Sequence, residues 1–263
     1  MDYLTVEAVV QAAREKNSPV IIQVSSGTID RFGTAALVEF VRLATRGVSV
    51  PVALHLDHGT KKDVIKQAVL DGFSSVMYDG SSLPFEENAA NTREIVEFAH
   101  AHGVSVEAEI GVVAAVEDDI VIHADKAIYS TPEEAIRFQS ESGADFLAVA
   151  IGTAHGFYKV KPRLNIDTLR EVAGQVSYPL VVHGGTGLSD EIVQELVRAG
   201  AAKFNVSTQL KQTYIDSLYE YISARRTEYH PLKLLNQSKA ALAAMIGNYM
   251  ELLGSAGKAE VEC

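Results

Sequence analysis

A short stretch that ends an apolar run combines two imidazoles with a carboxylate. Residues 53–60 read ALHLDHGT, so His55, Asp57 and His58 lie close together and Gly59 follows them. A carboxylate can transfer protons, and an imidazole can do the same or bind a metal ion. Because alternate strand residues point to opposite faces, Asp57 and His58 reach one site only if the strand gives way to a turn, and Gly59 makes that turn plausible.

Polar residues also end other apolar runs of the chain. They are Asp79, Glu107, Glu109, His155, His183, Asn205, Ser207 and Thr208. Taken singly, His55 or His183 could be a hydrogen-bonded core histidine, and the two glutamates could face helix termini. Taken together, three histidines at strand ends (His58, His155 and His183) favour a zinc site with one position open to substrate, although imidazole also binds other divalent metals. His55 lies earlier in its strand and is interpreted as a packed support.

Two glycine- or hydroxyl-rich turns predict an anion site. HGGTGLSDE (183–191) runs from a strand directly into a helix, so the backbone N–H groups near Gly184, Gly185 and Thr186 can approach an anion. NVSTQL (205–210) repeats this arrangement at the next junction. Two adjacent turns of this kind after the last two strands are typical of the phosphate-binding corner of (β/α) barrels.

The elements that must position these residues alternate between strand and helix patterns. Seven apolar runs are predicted as strands: 19–24, 50–56, 74–79, 104–110, 146–151, 178–183 and 202–207. The segments between them have helical periodicity, which predicts a parallel sheet covered by helices. Because a helix precedes the first run, we expect an α/β fold, a (β/α)8 TIM barrel that lacks its first strand, as a single domain over residues 1–263. An open, doubly wound sheet is the alternative. Residues 111–130 are predicted to be a long irregular loop that acts as a lid.

Composition limits the partners and the location. The net charge of -11 argues against binding to nucleic acid, which needs a basic face. No apolar stretch is long enough to span a membrane, and the N-terminal residues read as an amphipathic helix and not as a signal peptide, so we expect a cytoplasmic protein. Cys263 is the only cysteine, which excludes an internal disulfide and a cysteine-based metal site.

The motifs resemble those of the class II, metal-dependent ketose-bisphosphate aldolases, and in particular the fructose- and tagatose-bisphosphate aldolase branch. They occur through most of the chain: HLDHG, SSVMYDGSSLPFEEN, VSVEAEIG, GTAHGFYK, VVHGGTG, KFNVST and LLGSAGKA. The resemblance implies a lyase of carbohydrate metabolism that cleaves a phosphorylated ketose into dihydroxyacetone phosphate and an aldehyde such as glyceraldehyde 3-phosphate. It also implies a homodimer or homotetramer, one catalytic Zn²⁺ per subunit and a monovalent cation such as Na⁺ or K⁺ near the phosphate.

The resemblance also assigns roles to individual residues. His58, His155 and His183 would hold the zinc ion, and Asp57 would transfer the proton at the cleaved bond. Asp79 and Glu109 match positions of a displaced or second metal, and Glu117 in the long loop matches the carboxylate that protonates the nucleophilic carbon. The phosphate and hydroxyl groups of dihydroxyacetone phosphate would contact Gly156, Gly184, Gly185, Thr186, Asn205, Ser207 and Thr208.

Three departures from the family pattern bear on activity and substrate. The first strand, which usually carries a substrate-contacting asparagine, is absent. Ala114 and Ala115 stand where a glycine pair usually precedes the loop acid, which suggests altered loop motion. Asn248 and Glu251 lie in a neutral-to-acidic segment where bisphosphate-cleaving members carry basic residues, so the aldehyde side of the substrate is expected to be recognised differently or to lack a phosphate.

Two other functions remain open at this point. A zinc hydrolase on the same fold also places histidines at strand ends, although the paired phosphate turns and the lack of an early HxH argue against it. A catalytically silent sugar-phosphate-binding or assembly subunit would agree with the absent strand, but the presence of Asp57 and all three histidines argues against that function.

Overall fold

A parallel sheet with helices between its strands dominates the computed structural model, which describes residues 2–111, 115–117, 120–122, 130–156 and 162–259. The strands of this sheet are β1 (Val20–Val24), β2 (Val52–Gly59), β3 (Ser75–Tyr78), β4 (Ser105–Ile110), β7 (Phe146–Val149), β8 (Leu180–Val182) and β9 (Ala201–Phe204). All seven predicted strands are confirmed. Their order in the sheet is their order in the chain.

This sequential order decides between the two predicted sheet types. A doubly wound sheet reverses its strand order at a switch point, whereas a (β/α) barrel adds each strand next to the preceding one. The observed order is therefore that of a (β/α)8 barrel that lacks one strand, and the doubly wound alternative is wrong. Within the described residues, no strand precedes the first helix, as predicted.

Helices follow the strands and begin and end at recognisable residues. They are α1 (Tyr3–Lys16), α2 (Ser26–Phe32), α3 (Thr34–Ala44), α4 (Lys62–Asp71), α5 (Phe85–His100), α6 (Pro132–Ser142), α7 (Ile166–Ala173), α8 (Asp190–Arg198), α9 (Thr208–Ala224) and α10 (Pro231–Leu252). Helix α6 has a capping box in which Thr131 and Glu134 satisfy each other's backbone N–H groups, and Gly143 ends it in the left-handed region. In the part of the chain that the structure describes, no helix is both long and apolar enough to cross a membrane.

The chain forms two compact units. One contains Gln23–Val38 and Leu54–Val206, and therefore most of the sheet. Its core lies between the sheet and helices α6, α7 and α8, where Phe138, Leu147, Leu169, Leu180 and Leu196 are almost fully buried. At roughly 1.5–3 kcal/mol per buried side chain, this apolar layer stabilises the strands whose ends carry the polar residues.

The other unit contains Met1–Ile22, Glu39–Ala53 and Ser207–Cys263. Helices α1 and α10 pack in it around Ala8, Ala12, Leu242 and Met250. The prediction of a single domain over residues 1–263 stays a prediction.

The segment predicted to be an irregular lid contains regular structure. Strands β5 (Ala115–Glu117) and β6 (Ile120–Ile122) pair antiparallel, with Glu117 opposite Ile120. The prediction of a wholly irregular loop is therefore wrong, because AVE and IVI are short runs that contain β-branched residues, which favour strands. Residues 112–114, 118–119 and 123–129, including Ala114, lie outside the described residues.

Candidate active site

Strand β2 supplies two neighbouring site residues through an extra residue in its register. Leu56 pairs with Val76 and Gly59 pairs with Tyr78, so three steps along β2 match two steps along β3. His58 takes up the extra residue with a left-handed backbone (φ 49°), which is rare for a residue other than glycine. The bulge is what breaks the alternation and brings Asp57 and His58 to the same site.

The prediction that Gly59 forms a turn is wrong, because the bulge at His58 already breaks the alternation. Gly59 does not turn the chain out of the strand but is the last residue of β2. A Cβ atom at this position would lie 2.6 Å from the carbonyl oxygen of Met77 and 2.8 Å from Cγ1 of Ile65. Glycine is therefore required because the bulged strand packs closely against β3 and α4, and not because of a special backbone angle.

Three histidines come together: His58 in β2, His155 in the segment after β7 and His183 directly after β8. His58, His155 and His183 each offer a ring nitrogen, and these atoms all lie within 4.8 Å of one another. Nδ1 of His183 lies 3.0 Å from Nε2 of His58. In a second group, formed by His58, Asp79 and Glu109, the potential ligand atoms also lie within 4.8 Å of one another.

His58 belongs to both groups of potential ligands. Its Nδ1 lies 2.8 Å from Oδ2 of Asp79, and its Nε2 faces His183. Oδ1 of Asp79 accepts hydrogen bonds from the backbone N–H and the hydroxyl of Ser81, which hold the carboxylate in place. Asp79 thus orients the imidazole of His58, as carboxylates commonly do for metal-binding histidines.

The surroundings of these groups shift their pKa values. Burial opposes a charge on His58, but the carboxylates of Asp57, Asp79 and Glu109 outweigh burial and raise the pKa of His58 to about 10. Burial also acts against ionised Asp79, yet its hydrogen bonds to His58 and Ser81 lower the pKa of Asp79 well below its usual range. The site therefore favours positive charge at the position of His58.

Two further groups at the site favour their neutral forms. Burial, and then the charge of Asp79, raise the pKa of Glu109 well above its usual value. Burial, and then the positive charge of His58, lower the pKa of His183 well below that of a free imidazole. A neutral imidazole keeps the lone pair that a metal ion requires.

The residues present fit a divalent metal ion such as zinc. Three imidazoles, one in β2 and one each in the segments that follow β7 and β8, are a common zinc donor set. Oε2 of Glu109 is buried and has no hydrogen-bond partner among the described residues, although it lies 4.0 Å from Nδ1 of His58 and 3.7 Å from Nδ1 of His183. A buried carboxylate oxygen without a donor is costly, and a cation nearby would compensate for it.

Asp57 is held on both oxygens by side-chain amides. Gln23 in β1 donates from Nε2 to Oδ2 of Asp57 at 2.9 Å, and Asn205 donates from Nδ2 to Oδ1 at 3.3 Å. These two hydrogen bonds fix the orientation of the Asp57 carboxylate. The residue is only partly buried. A carboxylate in this position can accept and return a proton next to the histidine group.

His55 has the supporting role that its position predicted. It is fully buried, and its Nδ1 lies 2.8 Å from the hydroxyl of Ser75 in β3. Burial lowers the pKa of His55 to about 3, so it remains neutral.

The glycine-rich turn after β8, which was predicted to bind a phosphate, is tightly packed. Gly184 has a left-handed backbone (φ 72°), and a Cβ atom there would lie 2.6 Å from the backbone of Ala154. A Cβ atom on Gly185 would lie 2.0 Å from the ring of Phe204. Thr186 is buried, and helix α8 begins shortly afterwards at Asp190. The turn thus brings backbone close to the strand ends, as a phosphate site requires, and only glycine fits at two of its positions.

Other predicted site residues lie at element ends. Gly156 follows His155 with φ 92°, and Ser207 and Thr208 lie at the start of α9. Glu117 ends β5, but its side chain lies outside the described part of the chain. The roles of all these residues stay predictions.

Three residues that bond to the candidate site had no role assigned to them from the sequence. Gln23 and Lys203 were not proposed as site residues, and Glu107 was noted only as a polar residue at a strand end. The available signal was that Lys203 and Asn205 lie two positions apart on one strand, as do Glu107 and Glu109, so each pair shares a face. A lysine within an otherwise apolar strand is rarely buried without a partner.

Comparisons with known proteins show the family of the chain. A sequence model of the family described as Fructose-bisphosphate aldolase class-II matches residues 1–258. The chain belongs to the class II fructose-bisphosphate aldolase family. As a member of that family it is an aldolase, and hence a lyase, whose substrates are phosphorylated sugars.

Solved structures of several aldolases are similar to this one. The YdjI aldolase from Escherichia coli K12 shares 33% identity at a TM-score of 0.85, over 98% of this chain and 90% of that chain. A putative fructose-1,6-biphosphate aldolase from Coccidioides immitis shares 31% identity at a TM-score of 0.90, over 98% and 90%. Fructose-bisphosphate aldolase (Fba) from Campylobacter jejuni shares 25% identity at a TM-score of 0.82, over 97% and 88%.

Proposed function

We propose that this aldolase depends on zinc and reversibly cleaves a phosphorylated ketose into dihydroxyacetone phosphate and an aldehyde. Fructose or tagatose 1,6-bisphosphate, or a related ketose phosphate, is the substrate, and glyceraldehyde 3-phosphate is the expected aldehyde for the bisphosphates. The observation that carries the proposal is the group of three histidines, within 4.8 Å of one another, beside a carboxylate held by Gln23 and Asn205.

In this proposal His58, His155 and His183 hold the metal, and Asp79 and Glu109 provide a second position for it. When bound, zinc supplies Lewis acidity that stabilises the negative charge developing on the ketone side as the carbon–carbon bond breaks. No lysine is then needed to form a Schiff base with the substrate.

Asp57 acts at the aldehyde side of the bond. The two amides that hold its oxygens aim the carboxylate, and the hydroxyl proton of the leaving aldehyde passes to it during cleavage. Glu117 then delivers a proton to the carbon of the dihydroxyacetone phosphate half. In condensation both proton transfers reverse.

The glycine turn binds the phosphate of dihydroxyacetone phosphate. Backbone N–H groups at Gly184, Gly185 and Thr186 contact it, and further contacts come from Gly156, Asn205, Ser207 and Thr208. The close packing of both glycines is what supports a backbone-based site. A monovalent cation near the phosphate remains part of the proposal.

The aldehyde end of the substrate is the part most open to variation. Glu251 near the end of α10 forms an ion pair with Lys16 at 2.5 Å, and Asn248 is exposed. An acidic group paired in this way offers nothing to a second phosphate. We therefore include ketose monophosphates among the candidate substrates.

A coupled assay for dihydroxyacetone phosphate tests the proposal. Purified protein is incubated with a panel of ketose mono- and bisphosphates, with and without a zinc chelator, and with zinc added back. We expect release from at least one sugar, loss of release with chelator and recovery with zinc. The absence of chelator-sensitive release from every sugar would contradict the proposed function.

The protein is further proposed to act in the cytoplasm as a homodimer or homotetramer.

A further inference from the structure

Lys203 lies between the candidate metal ligands and the candidate acid-base group. Its Nζ donates to Oε2 of Glu107 at 2.8 Å and to Oδ1 of Asn205 at 2.7 Å. The side chain of Lys203 is only 9% exposed, and that of Glu107 is fully buried. We propose that Lys203 is a positioning residue that orients the imidazole of His183 through Glu107 and the carboxylate of Asp57 through Asn205.

The first branch of this network fixes the ring of His183. Oε1 of Glu107 lies 2.8 Å from Nε2 of His183, and since a carboxylate oxygen accepts, Nε2–H donates. The lone pair is then on Nδ1, the atom that faces His58 at 3.0 Å. Nε2 of His55 lies 3.4 Å from Oε2 of Glu107. Lys203 donates to the same Oε2 and so leaves Oε1 to His183. Hydrogen bonds of this kind orient metal-binding histidines and make them stronger ligands.

The second branch fixes the amide of Asn205. An amide oxygen accepts and an amide nitrogen donates, so the ammonium of Lys203 decides which end of the amide faces it. With Oδ1 directed to Lys203, Nδ2 points to Oδ1 of Asp57 at 3.3 Å. A reversed amide would direct an oxygen at the carboxylate of Asp57 and repel it. Lys203 thus determines that Asp57 receives a hydrogen bond.

The presence of a lysine at position 203 also supports a positioning role. Desolvating an ammonium and a carboxylate costs several kcal/mol per ion, and apolar residues of similar volume often replace a buried ion pair without loss of stability. A position that only filled space in β9 would therefore suit methionine as well. The buried pair instead forms part of a hydrogen-bonded chain of five polar groups, which runs from His183 through Glu107, Lys203 and Asn205 to Asp57.

This inference rests on the proposed zinc site, and the experiment separates the two. Variants Lys203→Met, Glu107→Gln, Asn205→Ala and Lys203→Met/Glu107→Gln are compared with the wild type. Lys66→Met is the matched control, because Lys66 forms an exposed ion pair with Glu94 in the same unit. Zinc affinity is measured by competition with a chromophoric chelator, the folded state by circular dichroism, and kcat and KM with the best substrate of the panel. The ¹⁵N shifts of the His183 ring in the zinc-loaded protein report its tautomer.

The expected results differ between the branches. Lys203→Met weakens zinc binding by about 10- to 100-fold, as loss of an outer hydrogen-bonding partner does, and also lowers kcat. Asn205→Ala lowers kcat or raises KM while zinc affinity stays within about threefold of the wild type, since the side chain of Asn205 bonds Lys203 and Asp57 and not the histidines. The double variant loses less zinc affinity than the product of the two single losses, because both single changes break one network. Lys66→Met changes none of these quantities.

Several outcomes would overturn the inference. One is a folded Lys203→Met protein whose zinc affinity, His183 ¹⁵N shifts and kcat equal those of Lys66→Met. If Lys203→Met fails to fold because Glu107 is left unpaired, the double variant decides, since it buries no charge in this pair. Unchanged zinc affinity and an unchanged His183 tautomer in the double variant would then reject a positioning role. A wild-type protein that binds no zinc would contradict the proposed function instead.

Discussion

At the scale of single residues, side chains of the same type lie in different environments within the site. His55 and His58 are both imidazoles of β2, yet one is buried against Ser75 with its pKa lowered to about 3, and the other lies among carboxylates that raise its pKa to about 10. Asp57 and Asp79 differ in the same way, because amides hold the first and an imidazole holds the second. Environment, and not residue type, separates the proposed acid-base group from the proposed ligand and from the buried support.

The proposed roles of Asp57 and His155 predict different losses. Asp57→Asn keeps the size of the side chain but removes its charge and its capacity to accept a proton, so we expect kcat to fall by about 10²- to 10⁴-fold while zinc stays bound. His155→Ala removes a proposed ligand, so zinc and turnover are lost together. Metal analysis after dialysis and steady-state kinetics measure both quantities. Equal loss of zinc from the two variants would contradict the roles assigned to them.

At the scale of elements, the bulge in β2 brings the site residues together. The extra residue falls at His58, the only described residue besides Asn17 that combines a side chain with a positive φ. Non-glycine residues in this conformation cost free energy and persist where the surroundings enforce them, often at functional sites. The pairing of Gly59 with Tyr78 immediately after the bulge restores the register between β2 and β3.

Gly59→Ala tests whether the close packing of β2 against β3 after the bulge is required. The new Cβ atom would meet the carbonyl oxygen of Met77 at 2.6 Å, which is closer than real contacts allow. We expect a loss of about 1–3 kcal/mol in the free energy of unfolding, as for overpacked sites, together with weaker zinc binding because His58 shifts. Urea denaturation and the chelator competition measure the two effects.

Gly27→Ala is the matched control for this change. Gly27 lies in α2 with nothing within 4 Å of the added atom, so alanine there should leave stability unchanged or raise it by up to about 1 kcal/mol. A Gly59→Ala protein as stable as this control would show that the close packing of the bulge is not required.

At the scale of the whole molecule, helix α9 carries a row of exposed apolar side chains. Ile215, Tyr219 and Ile222 are 62%, 72% and 48% exposed, and their spacing of four and three residues places them on one helix face. Single exposed apolar residues are ordinary on protein surfaces, whereas a row on one face is typical of an interaction site. This face is a candidate contact for the proposed homo-oligomer.

Charge placed on this face should weaken the oligomer. We expect Ile215→Asp/Tyr219→Asp to lower the molar mass measured by light scattering after size exclusion, because burying the new carboxylates at an interface is costly. Leu70→Asp is the control, since Leu70 is 58% exposed on α4 and should leave the mass unchanged. A wild-type protein that is monomeric at all concentrations, or a double variant with an unchanged oligomer, would rule out this face.

The sequence by itself determined the seven strands, their parallel arrangement and the histidines at their ends. It could do so because apolar periodicity and residue type are properties of neighbouring residues in the chain. The family resemblance added Asp57 as the acid-base group, and membership of that family is confirmed.

Only the tertiary structure decided how β2 presents its residues and what surrounds them. The bulge at His58 depends on the register between β2 and β3, and the hydrogen bonds of Gln23, Lys203 and Glu107 join strands far apart in the chain. Alternation within a strand predicts which residues share a face, but it carries no information about the register of that strand against its neighbours. Those partners become fixed only when the strands pack side by side.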